Sequence, residues 1–305
     1  MSLPPGHPKE GLLPPGGKAR SAKGALIRAA HRLGAAALIA PALLIAVFAF
    51  LVPLARLIGL SFSAPAGPFV PYAHLLGDDV YARVFANTFI IAIVVTVVAL
   101  VIAFPVAFAL TRLPRTWRGI VFACVLLPLW ISVLVRTFSW MLLLERNGPI
   151  NRFIVASGLS DQPLSLLFNH TAVLIGMVHV LLPYAVLPIY AALVRIDPAL
   201  LRASEGLGAS SVTTFRRVLF PLALSGVATA ATFTFLLALG FFVTPALLGG
   251  ASSLTLSMLI DGFVSDRLDW PLAAAASVLL LAAALVVVAV AARFVPVGAI
   301  ARVHR

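Results

Sequence analysis

The sequence predicts an all-α, polytopic membrane protein with six transmembrane helices. Apolar residues make up 62% of the 305 and charged residues only 10%, a balance outside that of soluble domains. Six apolar runs are each long enough to cross a hydrocarbon core about 30 Å thick. The basic residues alternate with those runs rather than gathering in one patch with interleaved aromatics. The net charge of +12 therefore reports topology and not a nucleic-acid surface.

Taken in order, residues 1–33 form a basic tail on the cytoplasmic side. Its first half, to residue 17, is rich in Pro and Gly and reads as disordered. Residues 18–33 read as a basic helix on the anionic inner leaflet, a membrane-lipid contact. The first apolar run, 34–60, exceeds a signal-peptide core, so it is expected to remain as an anchor. Further spans are expected at 87–110, 119–144, 171–194, 220–248 and 272–292, these five within a helical core over 79–292, and the given sequence closes with a tail over 293–305. With the N-terminus inside, sixteen Lys and Arg lie on the cytoplasmic side and six (Arg56, Arg83, Arg136, Arg146, Arg152, Arg267) do not. Both termini are then cytoplasmic.

Between two of the strongly apolar stretches lies a polar segment, 197–221. Asp197 followed by Pro198 reads as an N-cap with proline at the first helical position, and Gly206 with Gly208 as the stop. A second helical run begins at Thr213, carries Arg216 and Arg217, and enters the bilayer near Pro221. A short helix held between two spans by a glycine corner suits docking to a soluble protein.

Enzyme readings fail on the residues. A phosphate-binding loop from Gly11 would need Lys at position 17, which is Gly, and Ser or Thr after Lys18, where Ala19 stands. Ser225-Gly226 lacks the preceding glycine of an intramembrane serine protease. Cys124 is the only cysteine, expected to be buried in the third span, so neither a disulfide framework nor a Cys-based metal site is available within this chain. His170 and His179 are separated by about 13 Å along a helix at ~1.5 Å per residue, too far for one metal, and read as isolated polar packing.

The segment Leu207-Gly208-Ala209-Ser210, with Phe215, Val218 and Pro221, resembles the EAA loop of ATP-binding-cassette importer permeases. In place of the family's Glu-Ala-Ala stand Arg202, Ala203 and Ser204, with Glu205 three places after Arg202. The resemblance continues through Leu113-Pro114-Arg115, Leu134-Val135-Arg136-Thr137-Phe138-Ser139-Trp140, Asn147-Gly148-Pro149-Ile150-Asn151, Leu182-Pro183-Tyr184, Gly240 to Pro245 and Asp269-Trp270-Pro271. Over most of the membrane domain the chain is similar to permease subunits of spermidine/putrescine importers. The resemblance implies the type I ABC-importer permease fold. It also implies an ATPase dimer that uses ATP-Mg, a second permease subunit related to but distinct from this one, and an extracytoplasmic solute-binding protein. This chain would carry no cofactor, metal or catalytic residue. Arg202, Ala203, Ser204, Glu205, Leu207, Gly208, Ala209, Phe215 and Pro221 would form the ATPase-docking loop.

Candidates for the solute path are Arg136, Trp140, Tyr184, Phe241, Thr244 and Asp261. A guanidinium inside a span costs about 2.5–3.5 kcal/mol on insertion scales, so Arg136 should face protein, water or headgroups. Trp140 also reads as an interfacial or packing aromatic. Pro105, Pro128, Pro183, Pro188 and Pro245 are expected to interrupt spans, which is tolerated where a helix faces protein or a cavity. Relatives often carry acids at the positions of Phe241 and Ala246, so the solute is either a polyamine or an organic molecule handled by a diverged branch. A sulfate, molybdate or ferric-iron importer shares the loop and fold class. A secondary transporter would show paired inverted repeats, and none is evident.

Overall fold

The computed structural model describes residues 40–294. The basic tail 1–33, the start of the first span and nearly all of the segment 293–305 lie outside them. The chain divides into two compact units, residues 1–57 and residues 58–305. Most of α1 (Ala40–Ser61), a 22-residue apolar helix, belongs to the first.

In the second unit, α2 (Val70–Gly77) leads into α3 (Asp79–Arg112), a 34-residue helix of about 51 Å at ~1.5 Å per residue, long enough to cross with length to spare. Asp78 caps it, its carboxylate accepting from the Val80 N–H at 2.8 Å. The helices α4 (Arg115–Trp130) and α5 (Val133–Leu144) follow, then α6 (Pro149–Ala156) and α7 (His170–Val194), which Asn169 caps through the Ala172 N–H at 2.9 Å. A short α8 (Pro198–Gly206) precedes α9 (Ser211–Thr214), which continues into α10 (Phe220–Leu239). The last three helices are α11 (Val243–Leu248), α12 (Leu256–Ser265) and α13 (Trp270–Phe294).

Two expected spans are not single helices. The run 119–144 is broken, and its two parts are bent by 102°. Pro128 supplies no N–H for the helical ladder near the end of α4, and Ile131 and Ser132 then adopt extended backbone. The run 220–248 ends at Leu239. Gly240 turns the chain, the Phe241 N–H bonds back to the Ala238 carbonyl at 3.2 Å, and α11 starts anew. Pro105, Pro183 and Pro188 sit inside continuous helices instead of interrupting them. Among the described residues, five helices thus pass as spans by length and composition, or six where the bent pair counts as one span. Cys124 is exposed on α4, not buried as expected.

α3, α7 and α10 form the centre of the second unit. Their contact is built from small side chains: Ala92, Ala99, Ala103 and Ala107 on α3 meet Ala172, Ala185 and their neighbours on α7, with Ala223 and Ala230 on α10. Small residues let apolar helices approach closely where lipid gives no hydrophobic drive between them. A Cβ on Gly226 of α10 would collide with Ala192 and the Pro188 carbonyl of α7. At one end, Asn87 and Thr88 of α3 hold the loop before α12. The Asn87 amide donates to the Leu254 carbonyl at 2.7 Å, and the Thr88 hydroxyl accepts from the Leu256 N–H at 2.8 Å, taking over the N-cap of α12. A second apolar cluster joins Leu75, Tyr81, Leu256, Phe263 and Leu272.

Candidate functional site

The other end gathers the C-termini of α3 and α7, the start of α4, and α8. α8 stands on local chemistry. The Asp197 carboxylate accepts from the Ala199 N–H at 2.8 Å, and Pro198 begins the helix without losing a bond. At the other end the Gly208 N–H bonds to the Glu205 carbonyl at 3.0 Å and the Ala209 N–H to the Ser204 carbonyl at 3.2 Å. That crossed pair is a Schellman stop, and it sets Gly208 at φ +83°, where L side chains are strained. Leu207, at the corner, is 90% exposed. Arg202, Ala203 and Glu205 are also exposed, whereas Ala209 is half-buried.

Ser204 turns inward, its hydroxyl 3.0 Å from that of buried Thr214. This bond fastens α8 to the start of the next span. Between α9 and α10 the chain makes one wide turn, Phe215–Leu219, in which the Phe220 N–H reaches the Phe215 carbonyl five residues back. Pro221 explains it, because in a regular α-helix its ring would clash with the carbonyl four residues earlier and leave it unpaired. Phe215 meets Phe104 of α3 edge-on at 5.6 Å and Phe220 at 6.2 Å between centroids. Phe215 and Pro221, expected as part of the docking loop, thus sit at the join between that loop and its span. Clefts of about 410 and 430 Å³ separate α8 from the body, lined among others by Arg112, Arg118, Tyr190, Leu201, Arg202 and Glu205.

The solute-path candidates divide. Arg136 and Trp140 on α5, Tyr184 on α7 and Thr244 on α11 come together in one region. The Trp140 Nε1–H donates to His179 Nδ1 at 3.0 Å. Arg136 lies within electrostatic reach of both His179 and Tyr184. Its Nε and one terminal nitrogen are buried without a hydrogen-bond partner. Next to it Thr137 is buried, its hydroxyl 3.2 Å from that of Thr244. A Cβ on Gly176 would press on Thr244 and Leu248, so α7 and α11 are in close contact there.

Phe241 is half-buried after the Gly240 turn and packs against the main core. Asp261 stands apart: it is exposed on α12, and the Ser265 hydroxyl donates to it at 3.4 Å. His179, expected as isolated polar packing, bonds a residue 39 positions earlier. No local signal marks that pairing. Among the described residues, no three His, Cys, Asp or Glu side chains gather as metal ligands would.

Comparison with known proteins is consistent with this architecture. Residues 99–296 match the family described as binding-protein-dependent transport system inner membrane component. The chain is 34% identical over 171 residues to the spermidine/putrescine transport system permease protein PotB of Salmonella typhimurium, covering 56% of this chain and 60% of that protein. It is 37% identical over 145 residues to the inner membrane ABC transporter permease protein YdcU of Escherichia coli, covering 43% and 46%. The chain thus spans about 60% of the length of the PotB relative it matches. A chain of a bacterial ABC transporter involved in the import of the acidic polysaccharide alginate superposes with a TM-score of 0.71 at 20% identity, over 88% of this chain and 98% of that one. That likeness concerns the fold alone, the type I importer permease fold.

Proposed function

Since the chain belongs to the family of binding-protein-dependent transport system inner membrane components, we propose that it is the permease subunit of an ATP-binding-cassette importer. It is a multi-pass inner-membrane component, and we place both termini in the cytoplasm on the strength of the basic-residue split. The solute is polyamine-like, a reading supported by the spermidine/putrescine permeases among its relatives. An ATPase dimer hydrolyses ATP-Mg, a second permease subunit completes the path, and an extracytoplasmic binding protein delivers the solute.

The observation that carries this reading is α8, a capped helix with an exposed leucine at its corner, tied by the Ser204–Thr214 bond to the start of a span. Movement of α8 by an ATPase would pass directly into α10. The test is to purify the chain with its ATPase, second permease and binding protein, and to measure ATP hydrolysis in proteoliposomes with and without loaded binding protein. The reading expects the ATPase to be retained and its hydrolysis stimulated. An ATPase that separates from the chain during purification contradicts it.

A further inference from the structure

The span α10 and the docking helix α8 are each fixed, and one wide turn sets the angle between them. α10 is held against α7, where Gly226 leaves no room beside Ala192 and the Pro188 carbonyl. α8 is tied to α9 by the 3.0 Å contact of the Ser204 and Thr214 hydroxyls. Between α9 and α10 lies the turn Phe215–Leu219, in which the Phe220 N–H bonds the Phe215 carbonyl five residues back. Such a turn holds one residue more than a turn of regular α-helix, and single wide turns of this kind recur at functional sites. The added residue rotates the chain before it by about 100° and moves it by ~1.5 Å along the axis. The packing registers that rotation. On a regular helix, residues five apart point about 140° away from each other. Here Phe215 and Phe220 both rest on Phe104 of α3, at 5.6 and 5.8 Å between centroids. Thr214 and Leu219, also five apart, are both buried.

The cause stands just beyond the turn. Pro221 has no N–H, and in a regular helix its ring would collide with the Arg217 carbonyl. Any other residue there lets the helix close with one residue fewer per turn. We propose that Pro221 is a positioning residue for coupling: the wide turn it imposes sets the rotation of α9 and α8 about α10, and so presents the corner at Leu207 to the ATPase. This rests on the importer reading and adds to it the residue that aligns the docking helix with its span.

The test uses the complete importer in proteoliposomes with loaded binding protein and radiolabelled putrescine as probe. It reads ATPase retention, uptake per ATP hydrolysed, and the separation of spin labels at Ala199→Cys on α8 and Leu224→Cys on α10, both exposed, in a cysteine-free background. Pro221→Ala should retain the ATPase and lower uptake per ATP about tenfold, the scale of one lost interface contact. The labels should move by about 5 Å, the order of a helix radius. A loss of stability alone would reduce the amount of complex and leave that ratio unchanged. Deleting Arg216 from the Pro221→Ala variant puts Phe220 four residues after Phe215, so a regular helix then carries α9 and α8 at their original angle. That deletion should return both readings to wild-type values. A wild-type value of either reading in Pro221→Ala overturns the proposal, as does a loss that the deletion does not restore. If Pro221→Ala does not assemble, the deletion variant decides alone, since it must both assemble and couple. A wild type that does not hold its ATPase fails the importer reading, while the label separation still decides whether Pro221 sets the place of α8.

Discussion

Gly208 and Gly226 are glycine for different physical reasons, and substitution separates them. Gly208 has φ +83° and open space around its Cα, so its role within the chain is conformational. Gly208→Ala should cost about 1–2 kcal/mol of local stability and weaken ATPase coupling. Gly208→Asn, which tolerates the left-handed region, should restore most of it. Solute-stimulated ATP hydrolysis of the two variants checks this, and equal loss in both would mean that a partner surface crowds the site. Gly226 has an ordinary backbone but no room. Gly226→Val should destabilise the chain by about 1–3 kcal/mol through overpacking between α7 and α10, measured as a lower melting temperature in detergent. Gly119→Val, with nothing within 4 Å of a Cβ there, is the control that should not shift it. Neither role follows from composition, because a glycine in an apolar run looks the same whether its neighbour is a helix or lipid.

At the scale of elements, the short helix α8 was legible from sequence because its signals are local: Asp197 before Pro198 at one end, Gly208 at the other. The breaks after Trp130 and Leu239 were not. Hydropathy measures apolar content over a window, and that content is unchanged across a turn that stays inside the membrane domain. Pro128 and Gly240 mark the breaks, yet Pro105, Pro183 and Pro188 lie in unbroken helix, so residue type alone does not distinguish them. The Arg136 region was half legible: a charge in a span marked it, while the His179 bond joins separate helices and leaves no trace in the sequence. In the connection from α6 to α7, one side chain pairs several backbone groups. Asn151 is buried, and its amide donates to the Leu164 and Glu145 carbonyls at 2.9 and 3.2 Å while its oxygen accepts from the Leu164 N–H at 2.9 Å. Asn151→Ala strands those backbone groups at a cost of about 1–3 kcal/mol. Hydrogen exchange over residues 157–169 should rise by a large factor in the variant, and unchanged exchange would show that the loop is held elsewhere.

For the whole molecule, the distribution of basic residues predicts one orientation, with the docking loop inside and the Asp161 loop outside. With Cys124 replaced by serine, a cysteine at Asp161 should react with a membrane-impermeant maleimide from outside, and one at Arg216 only after permeabilisation. Labelling of both from the same side would remove the six-span topology. The central claim is that α8 is where the ATPase meets this chain. Its most direct measurement is a cross-link from Leu207, the 90% exposed corner residue: Leu207→Cys in the cysteine-free background, paired with single cysteines on the co-purified ATPase. The account predicts a high-yield cross-link to the ATPase whose formation blocks or traps transport. A complex that retains its ATPase and transports normally, with no cross-link from Leu207 to any ATPase position, would contradict it.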